Sequence, residues 1–386
     1  MSDLFDGFRT CPSRVAFVIN EDKYTYAELD EASARYASGL AEMGICAGDR
    51  VAIQAGSSWE LLVVLMGHLR SGVIHVPINN RYQSEEIAHI LTDSGASLLL
   101  VDEHSKAGAL AQSIGLPSLT LAKRPSKESP PPKLPAKDSI AMLIYTSGTT
   151  GRSKGVALDR EALVANIGAT TGLWRWQEED HLVLALPLFH VHGLGLGVLG
   201  TLLNRMSATI HERFDAAAVI DTIAKGATIF MGVPTMYARL INYLEENKEA
   251  CSSLSSARLF TSGSAALPAS AHEAFQALSG HRILERYGMS ESGFTLSNPY
   301  AQERKAGSVG MAVPGYEVRV VDEEGQTCAQ GEAGEIWVRG SGLMRGYWGQ
   351  AELSAAAFTE GWFRTGDVAR VDEEGYHHIL GRRSAD

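Results

Sequence analysis

The chain has 386 residues, 45% of them hydrophobic and 20% charged, which is ordinary for a folded protein of more than one small domain. Its 34 basic and 45 acidic residues give a net charge of −11, so we expect neither nucleic acid nor a membrane as a partner. Four scattered cysteines argue against a zinc site or a disulfide framework. No signal peptide or membrane span is recognised, and we expect a cytoplasmic protein.

The first part of the chain, about residues 1–135, alternates between strand and helix patterns. Thr25 and Glu28 form a capping box that starts a helix, and Gly44 is its predicted end. Further strands are predicted over 51–54, 73–78 and 97–101, and helices over 59–69 and 84–92. Because no hairpin signal interrupts this alternation, it predicts a parallel sheet with helices on both faces.

A second α/β part is predicted over 138–306, after a connector over 123–137 that contains five prolines. Strands are predicted there over 140–144, 182–186, 227–231, 258–261 and 282–286, and helices over 234–246 and 269–278. From residue 307 to 381 alternating strand patterns and turn residues indicate antiparallel structure. The predicted fold is therefore α/β, with two doubly wound, mostly parallel sheets and a small antiparallel β-barrel subdomain.

The most informative stretch reads Tyr-Thr-Ser-Gly-Thr-Thr-Gly-Arg-Ser-Lys-Gly-Val from Tyr145 to Val156. Glycines can turn backbone N–H groups inward, hydroxyls add donors, and Arg152 and Lys154 add positive charge, so the stretch can hold a polyphosphate. It is not a Walker A loop, because Lys154 stands between Ser153 and a glycine. Seen alone, such a stretch could equally be a flexible surface loop.

This stretch resembles the phosphate-binding signature of the adenylate-forming superfamily, which comprises acyl- and aryl-CoA synthetases, peptide-synthetase adenylation domains and luciferases. Later stretches resemble further motifs of that superfamily in order, at 186–194, 231–237, 262–268, 285–291 and 362–367, and the resemblance extends to Arg382. It implies a two-step reaction. A carboxylate attacks the α-phosphate of Mg·ATP and releases pyrophosphate, and the thiol of CoA then displaces AMP.

The resemblance also implies residue roles. Tyr287 is suited to stack on a purine, Asp367 has two acceptor oxygens for ribose hydroxyls, and Glu291 offers a hard oxygen to Mg²⁺. The implied catalytic residues are Thr146, Lys154, His190 and Glu291. The implied nucleotide-binding residues are Thr146, Ser147, Gly148, Thr149, Thr150, Gly151, Lys154, Gly263, Ser264, Ala265, Glu285, Tyr287, Gly288, Ser290, Asp367 and Arg382. The superfamily usually has threonine where Ser290 stands, but the hydroxyl is kept. Tyr287 in a core and Glu291 as a surface charge are the alternatives.

The implied substrate-binding residues are His190, Met231, Ser262, Arg286 and Met289. His190 and His192 would share a face of an extended segment and could bind a metal, although a catalytic zinc usually takes three protein ligands. A structural role for His190 is a further alternative. For Met231 and Met236 the alternative is ordinary core packing.

Arg286 bears on the identity of the acid. It could form a surface salt bridge of little energetic consequence, but its planar guanidinium is also suited to binding a second carboxylate with two hydrogen bonds. The motifs around it, with the terminal Gly-Arg-Arg-Ser-Ala-Asp, resemble malonyl-CoA synthetases most. We therefore predict an ATP-dependent ligase for malonate or methylmalonate. The alternatives are an acyl- or aryl-CoA synthetase for a monocarboxylic acid, a peptide-synthetase domain, a luciferase-like enzyme and a non-catalytic nucleotide-binding fragment.

The superfamily continues past a hinge aspartate into a small mobile domain that supplies an adenylation lysine. The resemblance places that hinge at 382–386, so residues 1–381 are interpreted as the large domain, and the small domain is expected to lie outside this chain. We expect the 386 residues to bind nucleotide and substrate but to form little thioester. The sequence predicts no oligomeric state.

Overall fold

A computed structural model describes residues 3–103, 105–146 and 151–383. The strands are β1 (Val15–Ile19), β2 (Asp22–Thr25), β3 (Arg50–Gln54), β4 (Ile74–Pro77), β5 (Leu98–Val101), β6 (Ser118–Thr120), β7 (Ile140–Thr146), β8 (Lys154–Asp159), β9 (His181–Leu184), β10 (Ser207–Ile210), β11 (Ile229–Gly232), β12 (Leu259–Ser262), β13 (Leu284–Met289), β14 (Gly293–Ser297), β15 (Met311–Ala312), β16 (Tyr316–Val321), β17 (Ala333–Gly340), β18 (Gly346–Tyr347), β19 (Phe358–Thr359), β20 (Trp362–Val371) and β21 (His377–Arg382).

The α-helices lie between these strands. They are α1 (Asp6–Thr10), α2 (Tyr26–Glu42), α3 (Trp59–Ser71), α4 (Ser84–Ser94), α5 (Ala107–Ser113), α6 (Arg160–Leu173), α7 (Gly200–Leu203), α8 (Ala216–Ala224), α9 (Pro234–Glu246), α10 (Ala269–Ser279) and α11 (Ala351–Ala356). Two 3₁₀ segments occupy Leu121–Lys123 and Lys248–Ser256, and a π-helical segment occupies Val191–Leu199. In the described parts of the chain, no helix combines the length and apolar character that crossing a membrane requires.

The local signals in the sequence explain how several helices begin and end. The Thr25 hydroxyl accepts from the backbone N–H of Glu28, whose carboxylate accepts in return from the N–H of Thr25, so the predicted capping box starts α2. Pro234 occupies the first turn of α9, where a missing N–H costs nothing. Gly72 ends α3 in the left-handed conformation.

Three sheets confirm the predicted fold class. A seven-stranded sheet has the order β18-β8-β7-β4-β3-β5-β6, and a nine-stranded sheet has the order β15-β14-β13-β12-β11-β9-β10-β1-β2. The central neighbours in both are parallel, while antiparallel pairs stand at their edges. A five-stranded antiparallel sheet has the order β16-β17-β20-β19, with β21 also paired to β20.

The sheets do not follow the predicted division of the chain near residues 135–138. β7 and β8 form a hairpin that joins the seven-stranded sheet beside β4, while β1 and β2 form a hairpin at the edge of the nine-stranded sheet. Strand order depends on hydrogen bonds formed in space, and the order of elements along the chain does not fix it. The β1–β2 hairpin turns at Asn20 and Glu21, both at positive φ. This dipeptide carries little turn signal in the sequence. The domain boundaries themselves stay a prediction.

The main core joins the two large sheets. One continuous cluster of buried side chains contains Leu62 of α3, Met142 of β7 and Leu184 of β9, so the seven- and nine-stranded layers pack against each other through shared apolar contacts. Burial of these side chains is the main term that stabilises the arrangement. The packing fixes the carboxyl ends of the nine-stranded sheet relative to the β7–β8 hairpin, which we call the phosphate hairpin.

Candidate active site

A cavity of about 490 Å³ opens at the carboxyl ends of the parallel strands of the nine-stranded sheet. Ligands of open α/β sheets usually bind at this end. The walls come from the segments after β9, β11 and β12 and from the β13–β14 hairpin. The lining residues are Leu186, Pro187, His190, Val191, His192, Gly193, Val233, Met236, Ser264, Arg286, Gly288, Met289, Ser290 and Phe294.

Arg286 is the main charged feature of this cavity. Its side chain is only 4% exposed, and its guanidinium carbon lies 4.6 Å from the centre of the Phe294 ring. One amino group donates to the Ser264 hydroxyl at 3.4 Å, and the Nε atom has no hydrogen-bond partner in the described part of the chain. Within the same residues no carboxylate lies within ion-pairing distance of it, so the predicted alternative of a surface salt bridge is wrong. Burial lowers the pKa of Arg286 to about 9, which leaves it charged at neutral pH.

Gly263 provides the space that the guanidinium occupies. A Cβ atom at that position would lie 2.5 Å from the guanidinium carbon of Arg286, so a larger residue would displace the arginine. The next residue, Ser264, holds its hydroxyl beside Arg286 from a backbone at φ +69°, a conformation that costs free energy for a residue other than glycine. Both features position the arginine at the cavity wall.

His192 faces the same cavity and was considered in the sequence only as one of a metal pair. It is 4% exposed, its Nδ1 lies 3.4 Å from the Ser264 hydroxyl, and its Nε2 has no partner among the described residues. Burial first, and then the charge of Arg286, hold the pKa of His192 well below the ordinary value, so its imidazole is neutral at pH 7. In the described ranges no group of three or more His, Cys, Asp or Glu side chains could hold a metal, so a catalytic zinc on this pair is not supported. His190 lies exposed at the cavity edge.

The phosphate hairpin approaches the cavity from the seven-stranded sheet. Thr146 ends β7 and Lys154 begins β8, where the two face each other across the pair. Gly151 has φ +140°, a value suited to glycine. The Lys154 ammonium lies 5.3 Å from the centre of the Tyr347 ring. The predicted phosphate contacts Ser147, Gly148, Thr149 and Thr150 lie outside the described residues, as do residues 384–386 of the predicted hinge.

Glu291 connects the hairpin to the cavity. Its carboxylate accepts a hydrogen bond from the Tyr347 hydroxyl at 3.2 Å and is 7% exposed, which excludes the solvated surface charge considered in the sequence. Burial raises the pKa of Glu291, while the positive charges of Arg382 and Lys154 oppose that rise. A carboxylate oxygen is a ligand that a divalent cation prefers, and the nearby lysine is suited to phosphate oxygens.

Tyr287 and Asp367 meet although they lie 80 positions apart. The tyrosine hydroxyl donates to an Asp367 carboxylate oxygen at 2.6 Å, and the Nε of Arg382 lies 3.8 Å from the other oxygen. Burial, and then the nearby carboxylate, raise the pKa of Tyr287 well above its ordinary value. The ring is half-buried, and its polar edge is bonded to Asp367. It is therefore not an ordinary core tyrosine.

Some predicted residues lie elsewhere. Met231 is fully buried in β11 and does not line the cavity, because that strand is covered on both faces and becomes accessible only after its end. Met236, on the first turn of α9, lines the wall instead. The Ser262 hydroxyl is buried at the end of β12, and no described residue forms a hydrogen bond with it.

Glu285 has a structural partner. Its carboxylate accepts from the backbone N–H of Gly307 at 3.1 Å, and burial raises its pKa to about 7. Ala265 lies exposed beside the site, and Gly288 packs so closely on Gly293 that a Cβ would collide with the carbonyl there at 2.2 Å. Contact of any of these residues with a nucleotide stays a prediction.

Sequence reasoning missed several contributors. Phe294 supports Arg286, and Tyr347 connects Lys154 to Glu291, yet neither lies in a stretch with a recognisable pattern. Both come from antiparallel strands, β14 next to the edge of the nine-stranded sheet and β18 at the edge of the seven-stranded one, whose pairing the sequence did not indicate. Their positions could be found only from the three-dimensional arrangement.

A second cavity of about 860 Å³ adjoins the first and shares Pro187, His190 and Met236 with it. Three arginines, Arg81, Arg213 and Arg239, and one carboxylate, Glu212, line this second cavity, so its charged side chains are mostly positive. The positive charge of these side chains favours an anionic ligand. Because His190 borders both spaces, molecules bound in the two cavities would meet beside it.

Comparison with known proteins agrees with this geometry. The family model described as AMP-binding enzyme matches residues 5–348. A malonate–CoA ligase of Arabidopsis thaliana is 34% identical over 97% of this chain, and a probable CoA ligase of Humulus lupulus is 35% identical over 90%. A solved malonyl-CoA ligase, a ternary product complex with methylmalonyl-CoA and AMP bound, has a TM-score of 0.90 and 38% identity over all of this chain and 82% of its own. The chain spans 64% of the length of the Humulus protein and 68% of the Arabidopsis one.

Proposed function

The chain belongs to the AMP-binding enzyme family, and on that premise we propose that it activates a short dicarboxylic acid with ATP. Malonate or methylmalonate would react at one carboxylate to form an acyl-adenylate and pyrophosphate. CoA would then take the acyl group as a thioester and release AMP. The observation that carries the choice of acid is the buried Arg286 guanidinium, which has no carboxylate partner among the residues that the structure describes.

An isolated buried charge is expensive, and natural sequences usually neutralise it with a partner. Arg286 lacks such a partner among the described residues while it faces a cavity. A ligand carboxylate could satisfy the free Nε and the neighbouring amino group with two parallel hydrogen bonds. Neutral His192 could donate or accept a further hydrogen bond through its free Nε2. A substrate with a second carboxylate would therefore provide the anionic partner for Arg286 at this wall of the cavity.

The nucleotide would lie between the phosphate hairpin and the Tyr287–Asp367 pair. Asp367 is bonded to Tyr287 on one oxygen and faces Arg382 on the other, so the pair is held in place for ribose hydroxyls and a purine ring. Lys154 would stabilise the negative charge that develops on the phosphates during attack by the carboxylate. Glu291 would hold Mg²⁺, which neutralises phosphate charge when bound.

CoA would use the second cavity. Its phosphates suit the three arginines there, and its thiol could reach the first cavity past His190, which borders both. In this arrangement the acyl group and the thiol approach from opposite sides of one residue. The location of CoA is supported only by charge and by the shared wall.

A monocarboxylic acid is the second candidate, and the size of the cavity favours it. About 490 Å³ exceeds the volume of malonate, and Leu186, Val233 and Met236 give part of the wall an apolar character. An acyl chain or aromatic ring could occupy that space. Such a substrate would offer Arg286 no second carboxylate, and none of the described residues supplies one, which is why we prefer the diacid.

An acid panel separates the two candidates. ATP–pyrophosphate exchange would be measured with malonate, methylmalonate, acetate, octanoate and benzoate, alongside the thermal shift of the protein with AMP and with Mg·ATP. We expect stabilisation by both nucleotides, and exchange that is fastest with the two diacids. Exchange with octanoate that survives Arg286→Ala would reject the diacid. The weak thioester formation expected from the sequence stays a prediction, and it is tested by measuring acyl-CoA in the same reactions.

A further inference from the structure

Helix α4 contacts both arms of the phosphate hairpin, and no sequence motif pointed to this contact. The Nε2 of His89 lies 2.7 Å from the carbonyl oxygen of Ser153, and the Tyr145 hydroxyl donates to the Asp93 carboxylate at 2.7 Å. His89 and Asp93 are four residues apart and so share one face of the helix. We propose that these two are positioning residues that hold the hairpin in place for the triphosphate, a role that rests on the proposed function.

The first contact fixes the arm that leads into β8. A carbonyl oxygen can only accept, so the Nε2 of His89 carries the hydrogen in this contact. Ser153 immediately precedes Lys154, and the bond therefore fixes the peptide unit from which the lysine projects. His89 is half-buried beneath the hairpin, where competition from water is reduced.

The second contact fixes the arm that ends β7. Tyr145 is 4% exposed and immediately precedes Thr146, the last residue of that strand. Its ring lies against Gly155 on the facing strand, where a Cβ atom would come within 3.0 Å of it. The His89 ring stands edge-on to the same ring, with centroids 6.3 Å apart and planes at 88°. Helix α4 and the phosphate hairpin therefore pack against each other through the rings of His89 and Tyr145.

Burial and the Asp93 carboxylate raise the pKa of Tyr145 above its ordinary value, so the hydroxyl remains a donor at physiological pH. Both contacts act on the ends of the hairpin and neither reaches the cavity. Loss of either should leave the adenosine and ribose contacts intact while loosening the residues that meet the β- and γ-phosphates. ATP and AMP should therefore respond differently, whereas a purely structural role would affect both nucleotides alike.

Hydrogen exchange in the nucleotide-free protein tests the proposal without relying on activity. The variants are His89→Ala, Asp93→Ala and the conservative His89→Gln, whose amide can still donate to Ser153. The matched control is Thr92→Ala, an exposed neighbour on α4 whose side chain makes no described hydrogen bond. Since a lost hydrogen bond typically changes an equilibrium about two- to tenfold, we expect exchange to accelerate by that factor over 151–156 in His89→Ala and at 145–146 in Asp93→Ala, and in neither segment in Thr92→Ala. Equal exchange in His89→Ala and Thr92→Ala overturns the proposal.

Nucleotide affinity provides the second measurement, by titration calorimetry with AMP and with Mg·ATP. The Kd for ATP should rise about two- to tenfold in His89→Ala and Asp93→Ala, return toward the unsubstituted value in His89→Gln, and change less than twofold for AMP throughout. Equal weakening of both nucleotides contradicts the positioning role even if exchange changes. If the unsubstituted protein binds neither nucleotide, the proposed function fails, and the exchange result alone decides whether α4 holds the hairpin.

Discussion

Two buried arginines, one on helix α3 and one on strand β13, show how the same kind of side chain can serve different purposes. Arg70 of α3 is 7% exposed, lies 5.8 Å from the ring centres of Phe5 and Phe8, and is ion-paired with Asp30. Arg286 of β13 is 4% exposed and packs on Phe294, but no described carboxylate pairs with it. Both are desolvated and both stack on aromatic rings. Arg286 has no carboxylate partner among the described residues and faces a cavity, whereas Arg70 is neutralised by Asp30, and this difference distinguishes a structural charge from one that is available to a ligand.

The neighbour of Arg286 makes the contrast sharper. Glu285 is also buried, and its charge would neutralise the arginine if the two met. Successive side chains of a strand point to opposite faces, and Glu285 instead accepts from the backbone N–H of Gly307. The fold therefore keeps a positive and a negative group apart at consecutive positions.

The largest expected effect comes from Arg286→Met, which keeps the volume and removes the charge. We expect malonate affinity to fall on the order of 100-fold, since a bidentate charge-assisted contact is lost. Arg70→Met is the matched control and should leave that affinity unchanged. Titration of malonate into the AMP-saturated proteins measures both, and an equal loss in the two variants would remove the distinction between the arginines.

The two arginine substitutions should rank in the opposite order when the free energy of unfolding is measured in place of malonate affinity. Arg70→Met breaks an ion pair and should lower the free energy of unfolding by roughly 2 kcal/mol, less than for a fully buried pair because Asp30 is partly exposed. Arg286→Met removes a buried charge that no described carboxylate neutralises and should leave the ligand-free protein as stable or more stable. Urea denaturation of the ligand-free proteins measures the difference. A less stable Arg286→Met variant would indicate a structural role for this arginine.

Glu285→Gln should change the pH dependence of stability. The folded-state pKa of Glu285, about 7, lies above the unfolded value, so the folded protein binds more protons between the two values and its stability falls as pH rises through that window. Glu285→Gln should not lose stability in this way. The difference in the free energy of unfolding between the variant and the unsubstituted protein should therefore shift in favour of the variant by at least about 1.4 kcal/mol between pH 4.5 and pH 8. Denaturation curves at the two pH values measure it, and parallel behaviour of the two proteins would argue against a buried ionisable Glu285.

Tyr287→Phe should have the smallest effect. The ring remains for stacking, while Asp367 loses one hydrogen bond and keeps its proximity to Arg382. We expect the AMP affinity to fall about threefold, the usual result of losing a single hydrogen bond. Calorimetry with AMP measures this change, with malonate affinity as the internal control, because the Arg286 wall is untouched.

Elements with strong local signals were predictable from the sequence. The capping box at Thr25, the proline at the start of α9 and the alternation of β16 and β17 each specify structure through neighbouring residues. Arg286 was also recognised, because it lies within the distinctive motif at 285–291. The sequence did not reveal that the phosphate hairpin joins the other sheet, nor that Tyr347 and Phe294 complete the site. The first feature depends on the parallel pairing of β7 with β4, and the position of Tyr347 on the pairing of β18 with β8. Phe294 is placed by its contact with Arg286 in space, and no local pattern specifies any of these.

The central claim is that Arg286 receives a second carboxylate, and a matched pair of ligands tests it most directly. Monomethyl malonate keeps the reactive carboxylate and nearly the size of malonate but converts the other carboxylate to an uncharged ester. In titrations of the AMP-saturated protein, the account predicts that malonate binds at least about tenfold more tightly than the monoester, and that Arg286→Met abolishes the difference. Equal affinities for the two ligands in the unsubstituted protein would contradict it.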